Sequence, residues 1–331
     1  MDYFETGFAV REQAWHGLAK VLENAPRDTV QAVRDAGVDW PVRTVPAYAL
    51  VGDRYLEVPD ARHVVRERNG FEPDVLGTVG TRYVPLQNAD AFRWFNPLLA
   101  DGDMSLESAG SVKGGRYVWI LAKVNSIPRA RVGSKADDIV EPYFLLSNAH
   151  DGTNAVTGTF TFVRVVCWNT LSAALRESDR KRSASFKIRH TRAMADTLRD
   201  FRNRIDLERR NFEGKALLWQ ELSERRIERA TDAETYVRRV FGTPETVAKA
   251  MAEHEPLPEV RAEKHVARLF REGPGADSAG PTWFGLYMAA THYIDHERGR
   301  SADSRLASTW FGDGVNVRDR AESVALELAG V

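Results

Sequence analysis

Residues 105–124 read SLESAGSVKGGRYVWILAKV, and residues 142–168 read PYFLLSNAHDGTNAVTGTFTFVRVVCW. Together they set the architecture. Ser105–Lys113 and Arg116–Val124 read as strands, and they flank Gly114-Gly115. A two-residue Gly-Gly link supplies the positive φ angles of a tight hairpin turn. Pro142–Asn148 is a third strand, and Asp151-Gly152 is the turn into a fourth, Ala155–Trp168. Four strands in succession predict an antiparallel meander. Its last strand is apolar on both faces, as in a strand that is central or lies beneath helices. Arg164 falls on the face that carries Phe160, Phe162 and Trp168. It is an arginine paired with a carboxylate or stacked on a ring, or else a cation facing a ligand.

Toward the C-terminus, Asn169 or Thr170 is positioned to cap a short helix, Leu171–Arg176. After His190 the chain reads as helical. Leu198, Ile205, Phe212 and Trp219 recur every seven residues, with Phe201 and Leu222 offset by three. That spacing predicts an amphipathic helix of roughly 35 residues. Glu208 and Lys215 interrupt its stripe, and Gly214 is a point where it could break. Shorter helices are expected at about 232–241, 244–253, 259–272, 281–297 and 315–329. Glu272–Gly280 (EGPGADSAG) reads as a flexible connection.

Toward the N-terminus, Thr29–Ala36 is a short helix ended by Gly37. Val42–Val51, Arg62–Arg68 and Val75–Tyr83 are strands. Asn88–Leu99 is a helix capped by Asn88 and kinked or shortened by Pro97. Pro128–Glu141 is a polar, basic loop. The expected architecture is α+β: a mixed lobe with an antiparallel sheet over 1–190, and a helical region over 191–331 packed on it.

Composition limits the function classes. Net charge is -1, so attraction to nucleic acid or an anionic membrane has to come from a local patch. The single cysteine, Cys167, excludes an intrachain disulfide and a cysteine-rich zinc module. It reads as a small buried hydrophobe. The start, Met1-Asp2-Tyr3-Phe4-Glu5, lacks the pattern of a signal peptide, and no apolar run nears the roughly 20 residues of a membrane helix. A cytoplasmic protein without membrane contact is expected. There is no phosphate loop, dinucleotide fingerprint or nucleophile elbow. Nothing assembles a nucleophile, a base and an orienting group, so no cofactor and no catalytic residue is assigned.

Three constellations carry the functional expectations. Between Arg164 and Arg210 stand 13 Lys or Arg against 6 Asp or Glu. The dense part includes Arg176, Arg180, Lys181, Arg182, Lys187, Arg189 and Arg192. A cationic, exposed segment suits contact with a phosphate backbone, single-stranded DNA above all; the alternative is a solvated face or protein interface. His150-Asp151 is the second. A turn needs Asp-Gly for its backbone, which leaves His150 unexplained, and a general-acid or metal role is one reading of it. The third is His292 and His296, one helical turn apart with Asp295 beside them. That spacing permits metal ligation, but no third ligand is nameable and no metal is assigned. The candidate polar site is His150, Asp151, Arg164, Asn169, Asp295 and His296. A structural role for these residues would pair the histidines and aspartates across the two halves.

Several of these stretches together resemble one family. They are Glu12-Gln13-Ala14-Trp15-His16-Gly17-Leu18; Ala109-Gly110-Ser111 before Gly114-Gly115-Arg116; Ser147–Gly152 followed by Phe160-x-x-Val163-Arg164-Val165-Val166-Cys167-x-Asn169-Thr170-Leu171; and Thr282-Trp283-x-Gly285-Leu286-Tyr287 through Thr291-x-Tyr293-x-Asp295-His296. The sequence is similar to phage/plasmid-like proteins that carry domain of unknown function 932. Trp168 stands where that pattern has Asn, and His292 where it varies, often to Glu. The resemblance implies an accessory protein of mobile elements and no particular reaction. The expected function is nucleic-acid binding in recombination or single-strand annealing. The alternatives are an enzyme or small-ligand sensor with a polar His/Asp pocket, and a partner-binding module. A homo-oligomer is left open.

Overall fold

The computed structural model describes residues 4–11, 19–136, 138–152, 156–164, 169–171, 186–187, 194–301, 304–305, 308–309 and 312–331. The fold is α+β: an antiparallel-rich sheet region precedes a mostly helical C-terminal half. Two compact units interleave along the chain. The first is Met1–Ser126, Tyr143–Phe160 and Ser185–Ile205; the second is Ile127–Pro142, Thr161–Ala184 and Asp206–Val331.

In the first unit, β1 (Phe4–Val10) runs antiparallel to β6 (Met104–Val112) and parallel to β2 (Lys20–Leu22). β6 pairs with β7 (Tyr117–Val124), and β7 with β9 (Ile139–Ala149), both antiparallel. β10 (Thr157–Arg164) follows β9 in the sheet, and β12 (Phe186–Lys187) pairs with its start. The predicted meander is therefore present, and it begins against a strand, β1, that sequence pattern does not reveal. The β6–β7 link is longer than a two-residue turn. Val112 pairs with Tyr117, and Lys113, Gly114 and Gly115 have φ of 55°, 64° and 82°. Three successive left-handed residues need the two glycines; Lys113 carries the strain that a Cβ imposes.

A separate three-stranded sheet, β3 (Val42–Val51), β4 (Arg54–Arg66) and β5 (Asp74–Gly80), is a long hairpin plus one strand. The side-chain amide of Gln87 closes the start of its β3 edge. It accepts from Val42 N at 3.0 Å and donates to Val42 O at 2.8 Å, as a neighbouring strand would. α1 (Thr29–Asp35) is capped by Asp28, whose carboxylate accepts from Gln31 N. The expected helix at 88–99 is split into α2 (Asn88–Phe92), a 3₁₀ turn (Arg93–Phe95) and α3 (Asn96–Ala100). Pro97 explains the split, since it sits in the first turn of α3, where its missing N–H costs nothing. Phe95 meets Phe144 at 5.7 Å, and Phe144 meets Phe160 at 4.8 Å.

In the second unit, β8 (Ala130–Arg131) pairs with the start of β9, so part of the expected 128–141 loop is strand. β11 (Asn169–Leu171) pairs with β10 at Phe162, Val163 and Arg164. Leu171, expected to open a helix, is therefore in a strand, and the rest of that expected helix, 172–176, lies outside the described residues. α4 (Met194–Glu224) is the predicted long helix, and Gly214 does not break it. Phe212, Trp219 and Leu222 are buried, with Phe162 4.9 Å from Phe212. Lys215, which interrupts the stripe, is buried too and pairs with Glu322. Trp219 Nε1 donates to the same carboxylate at 2.8 Å.

α5 (Ala230–Phe241), α6 (Pro244–Glu253) and α7 (Ala262–Glu272) come next. Within the expected 272–280 connection, Ala276–Ala279 forms a short helix, α8, with Ser278 and Ala279 buried. α9 (Trp283–His292) is buried all round, as a core helix must be to carry so apolar a sequence. It runs on into a π-helical turn, Tyr293–Glu297, where Arg298 N donates to Tyr293 O at 2.7 Å. α10 (Asp313–Ala329) ends the chain. Among the described residues no helix is long and apolar enough to cross a membrane.

Candidate functional site

The end of β9 and the turn after it, Asn148 to Gly152, carry buried polar side chains. His150 is fully buried. Its backbone N–H donates to Arg116 O at 2.8 Å, which ties the turn to the β6–β7 loop. Its ring Nε2 lies 2.8 Å from Asn88 Oδ1. Asn88 Nδ2 donates to Val38 O, and Asn148 Nδ2 donates to Asn88 Oδ1 and Leu86 O. With Asn88 Oδ1 fixed as an acceptor, the network assigns the proton to His150 Nε2. Asn88 is thus no helix cap: Gln87 holds the cap position, and Asn88 turns inward.

The Trp40 ring stands 5.5 Å from the His150 ring, and the Arg66 guanidinium lies 5.1 Å from the Trp40 centroid. Arg66 is held by Glu5 through Nη1 at 2.6 Å and Nη2 at 2.5 Å, and by Asp74 through Nε at 2.9 Å. Burial pushes the His150 imidazole down to about 4; Asp151 opposes the shift and Arg66 adds to it. The ring is therefore neutral near pH 7. It is sealed in, so its role here is to join β9 to α2.

The same turn borders a cleft of about 630 Å³, lined among others by Asp60, Thr78, Thr81, Arg82, Tyr83 and Gly152. β5 can lie this close to the turn because Gly77 has no side chain. A Cβ there would stand 2.5 Å from Asp151 Cα. Tyr83 OH donates to Ala149 O at 3.3 Å, and burial together with Asp151 raises its phenol pKa. Three arginines come from the elements around this turn. Arg82 lines the cleft, Arg62 is opposite Val79 in the β4–β5 ladder, and Arg116 is the residue that receives the His150 N–H. Among the described residues none of the three makes an ion pair.

The other candidates lie in the second unit. Arg164 is fully buried and takes both structural readings at once. Nε donates to Asp138 Oδ1 at 2.7 Å, Nη2 donates to Asp138 Oδ2, and the guanidinium carbon is 5.3 Å from the Phe284 centroid. Ser278 Oγ also donates to Asp138, and Arg164 Nη2 reaches Gly275 O at 3.1 Å. Asn169 pairs through its backbone with Arg164. Asp295 is 3 % exposed and accepts from Arg318 Nη1 at 2.7 Å and Thr309 Oγ1 at 3.3 Å. His150 thus bonds Asn88 within the first unit, and Asp295 bonds Arg318 and Thr309 within the second. The His292 and His296 rings stand 4.4 Å apart. Burial first, then His296, pushes His292 down to about 4. Among the described residues no group of three or more His, Cys, Asp or Glu is placed to hold a metal ion.

Arg176, Arg180, Lys181, Arg182, Arg189 and Arg192 lie outside the described residues, as do Trp15, His16, Gly17, Cys167 and Trp168. Of Lys187 only the backbone, in β12, is described. Sequence reasoning missed Asp138, Asn148 and the 78–83 segment. For Asp138 a signal existed: an acidic pair, Asp137-Asp138, inside an otherwise basic loop upstream of an arginine on an apolar strand.

A family model, Domain of unknown function (DUF932), matches residues 75–310. The match takes in Asn88, Arg116, Asn148, His150, Arg164, Asp295 and most of the cleft. No curated protein and no solved structure matches the chain.

Proposed function

The chain belongs to the DUF932 family, and we propose that it is a nucleic-acid-binding accessory protein of phages and plasmids, acting on single-stranded DNA in recombination or annealing. One observation supports this reading above the others. Arg82 lines the open polar cleft beside the His150-Asp151-Gly152 turn, and Arg62 in β4 and Arg116 before β7 belong to neighbouring elements, none of the three neutralised by an ion pair among the described residues. Against Asp60 and Asp151 they leave these neighbouring elements one charge positive. A free guanidinium offers a phosphate two parallel N–H donors, and the Thr81 hydroxyl adds a neutral one. Interactions of this kind position a backbone without reading its sequence. The cationic run 176–192 would add to them. His150, Arg164 and Asp295 serve the same end indirectly, by fixing the elements that carry the cleft and the helical unit.

The test is a mobility-shift titration with single-stranded and duplex DNA at two salt concentrations. Wild type is expected to bind single strands more tightly, and binding should weaken with salt. The triple variant Arg62→Ala/Arg82→Ala/Arg116→Ala should weaken binding on every sequence. It should also reduce the salt slope by roughly 0.7 for each phosphate no longer bound. A parallel Arg180→Ala/Lys181→Ala/Arg182→Ala variant measures the share of the cationic run. Absence of wild-type binding to either DNA at low salt would sink the reading.

A further inference from the structure

Tyr236 on α5 is fully buried, and its hydroxyl has no hydrogen-bond partner among the described residues. The sequence puts it there: Tyr236, Val237 and Val240 are the buried residues of α5, one apolar stripe at helical spacing. The ring meets Trp283 of α9 edge-on, with 6.3 Å between centroids. Apolar neighbours satisfy the ring and leave the hydroxyl unmet. Folded proteins pair nearly all such groups, and they use ordered water where no chain atom is in reach.

One polar cluster lies close by. Glu322 of α10 is 4 % exposed; it accepts from Lys215 Nζ of α4 through one oxygen and from Trp219 Nε1, at 2.8 Å, through the other. A carboxylate has about four acceptor sites, so two remain open. Glu322 acts on the phenol electrostatically, yet no hydrogen bond joins the two. Burial first, then this carboxylate, raises the Tyr236 pKa well above its ordinary value of 10.0. The hydroxyl therefore keeps its proton and has to donate it to something. The helices cannot close the gap by sliding. One turn beyond Tyr236, Arg239 donates to Glu327 of α10 at 2.9 and 2.6 Å, and Trp219 holds the Glu322 carboxylate from the side of α4.

We propose that this interior binds one ordered water molecule, which accepts from the Tyr236 hydroxyl and donates to the Glu322 carboxylate. The two protein groups are a donor and an acceptor out of each other's reach, and water is both at once. A bound cation would add a charge that Lys215 already supplies, and an anion would face Glu322. Lys215 Nζ has three donors and offers the water a third bond, within the range of about two to four that internal waters make. The bridge ties α4, α5 and α10 together at one point. The inference does not depend on the nucleic-acid reading.

A crystal structure of the wild-type chain, at a resolution that shows ordered water, is expected to have one density peak within hydrogen-bond distance of both Tyr236 Oη and Glu322. Tyr236→Phe gives a second readout, since it keeps the ring and removes the hydroxyl. With water bound, the variant takes one bond away from it and should melt about 2 °C below wild type. A hydroxyl with no guest predicts the opposite sign, because phenylalanine then removes an unmet donor. A variant that melts at or above wild type therefore overturns the proposal. So does wild-type density that is empty between the two groups, or in which Tyr236 Oη meets a protein atom directly. A peak with the short contacts and ligand number of a metal ion overturns it as well.

Discussion

Arg164 and Asp138, 26 residues apart in the chain, form a two-point ion pair that solvent does not reach. Ser278 donates to the same carboxylate, so one acidic side chain fastens β10, the loop before β9, and α8. Its removal leaves a buried guanidinium whose main partner is gone.

Asp138→Ala is therefore expected to cost about 3–5 kcal/mol, the usual penalty for stranding a buried charge. Ser278→Ala removes two neutral-donor hydrogen bonds, the one Oγ donates to Asp138 and the one it accepts from Lys135 N, and should cost about 1–2 kcal/mol. Urea unfolding of the two variants checks the ranking; equal losses would refute the assignment of Asp138 as the hub.

Acid should destabilise the protein before its carboxylates titrate. The folded His150 pKa, about 4, lies below its ordinary 6.5, so the unfolded chain binds the extra proton in between. Stability is complete above pH 6.5, falls as pH drops from 6.5 to 4, and levels below that for this group. The full loss is about 3 kcal/mol for a sealed histidine. His292 shifts in the same direction. Unfolding free energies measured from pH 4 to 7 should rise with pH, and His150→Gln should flatten that rise. An unchanged slope in the variant would place the effect elsewhere.

Gly77→Ala should lower stability by about 1–3 kcal/mol through overpacking, because its Cβ meets the Asp151 backbone. Gly80→Ala is the control: its Cβ meets nothing within 4 Å. If both melt alike, β5 does not press on the turn.

The Lys215–Glu322 pair offers a non-additive case. Lys215→Met alone strands a buried carboxylate and should cost about 3–5 kcal/mol. Adding Glu322→Gln keeps an acceptor for Trp219 Nε1 and removes the charge, so much of the loss should return. A double variant as unstable as the two losses summed would contradict the pairing.

The sheet was legible because strands announce themselves locally: a period of two, bounded by Gly-Gly and Asp-Gly. The long helix was legible from Phe212 and Trp219 seven residues apart. Partners were another matter. His150 could be flagged as unneeded by its turn, yet Asn88, 62 residues earlier, reads as a helix cap until packing turns it inward. Arg164 could be assigned a carboxylate in kind but not in position, since two-residue β8 has no periodicity to place Asp138. Asn169 is a further case: local sequence does not encode its ladder with β10. The cleft is a product of long-range approach, set by Gly77 and Gly152, and no short motif describes it.

The π-turn at Tyr293–Glu297 works as a phase shifter. An α-helix advances about 100° per residue, and a turn closed five residues back holds one residue more than α geometry needs. Deleting a single residue from this segment would let α9 continue as ordinary helix and would swing the chain beyond it by about that angle. Asp295 sits inside the shifted turn, where it meets Arg318. The register of the last helix thus depends on the number of residues in 293–297 as well as on their identity.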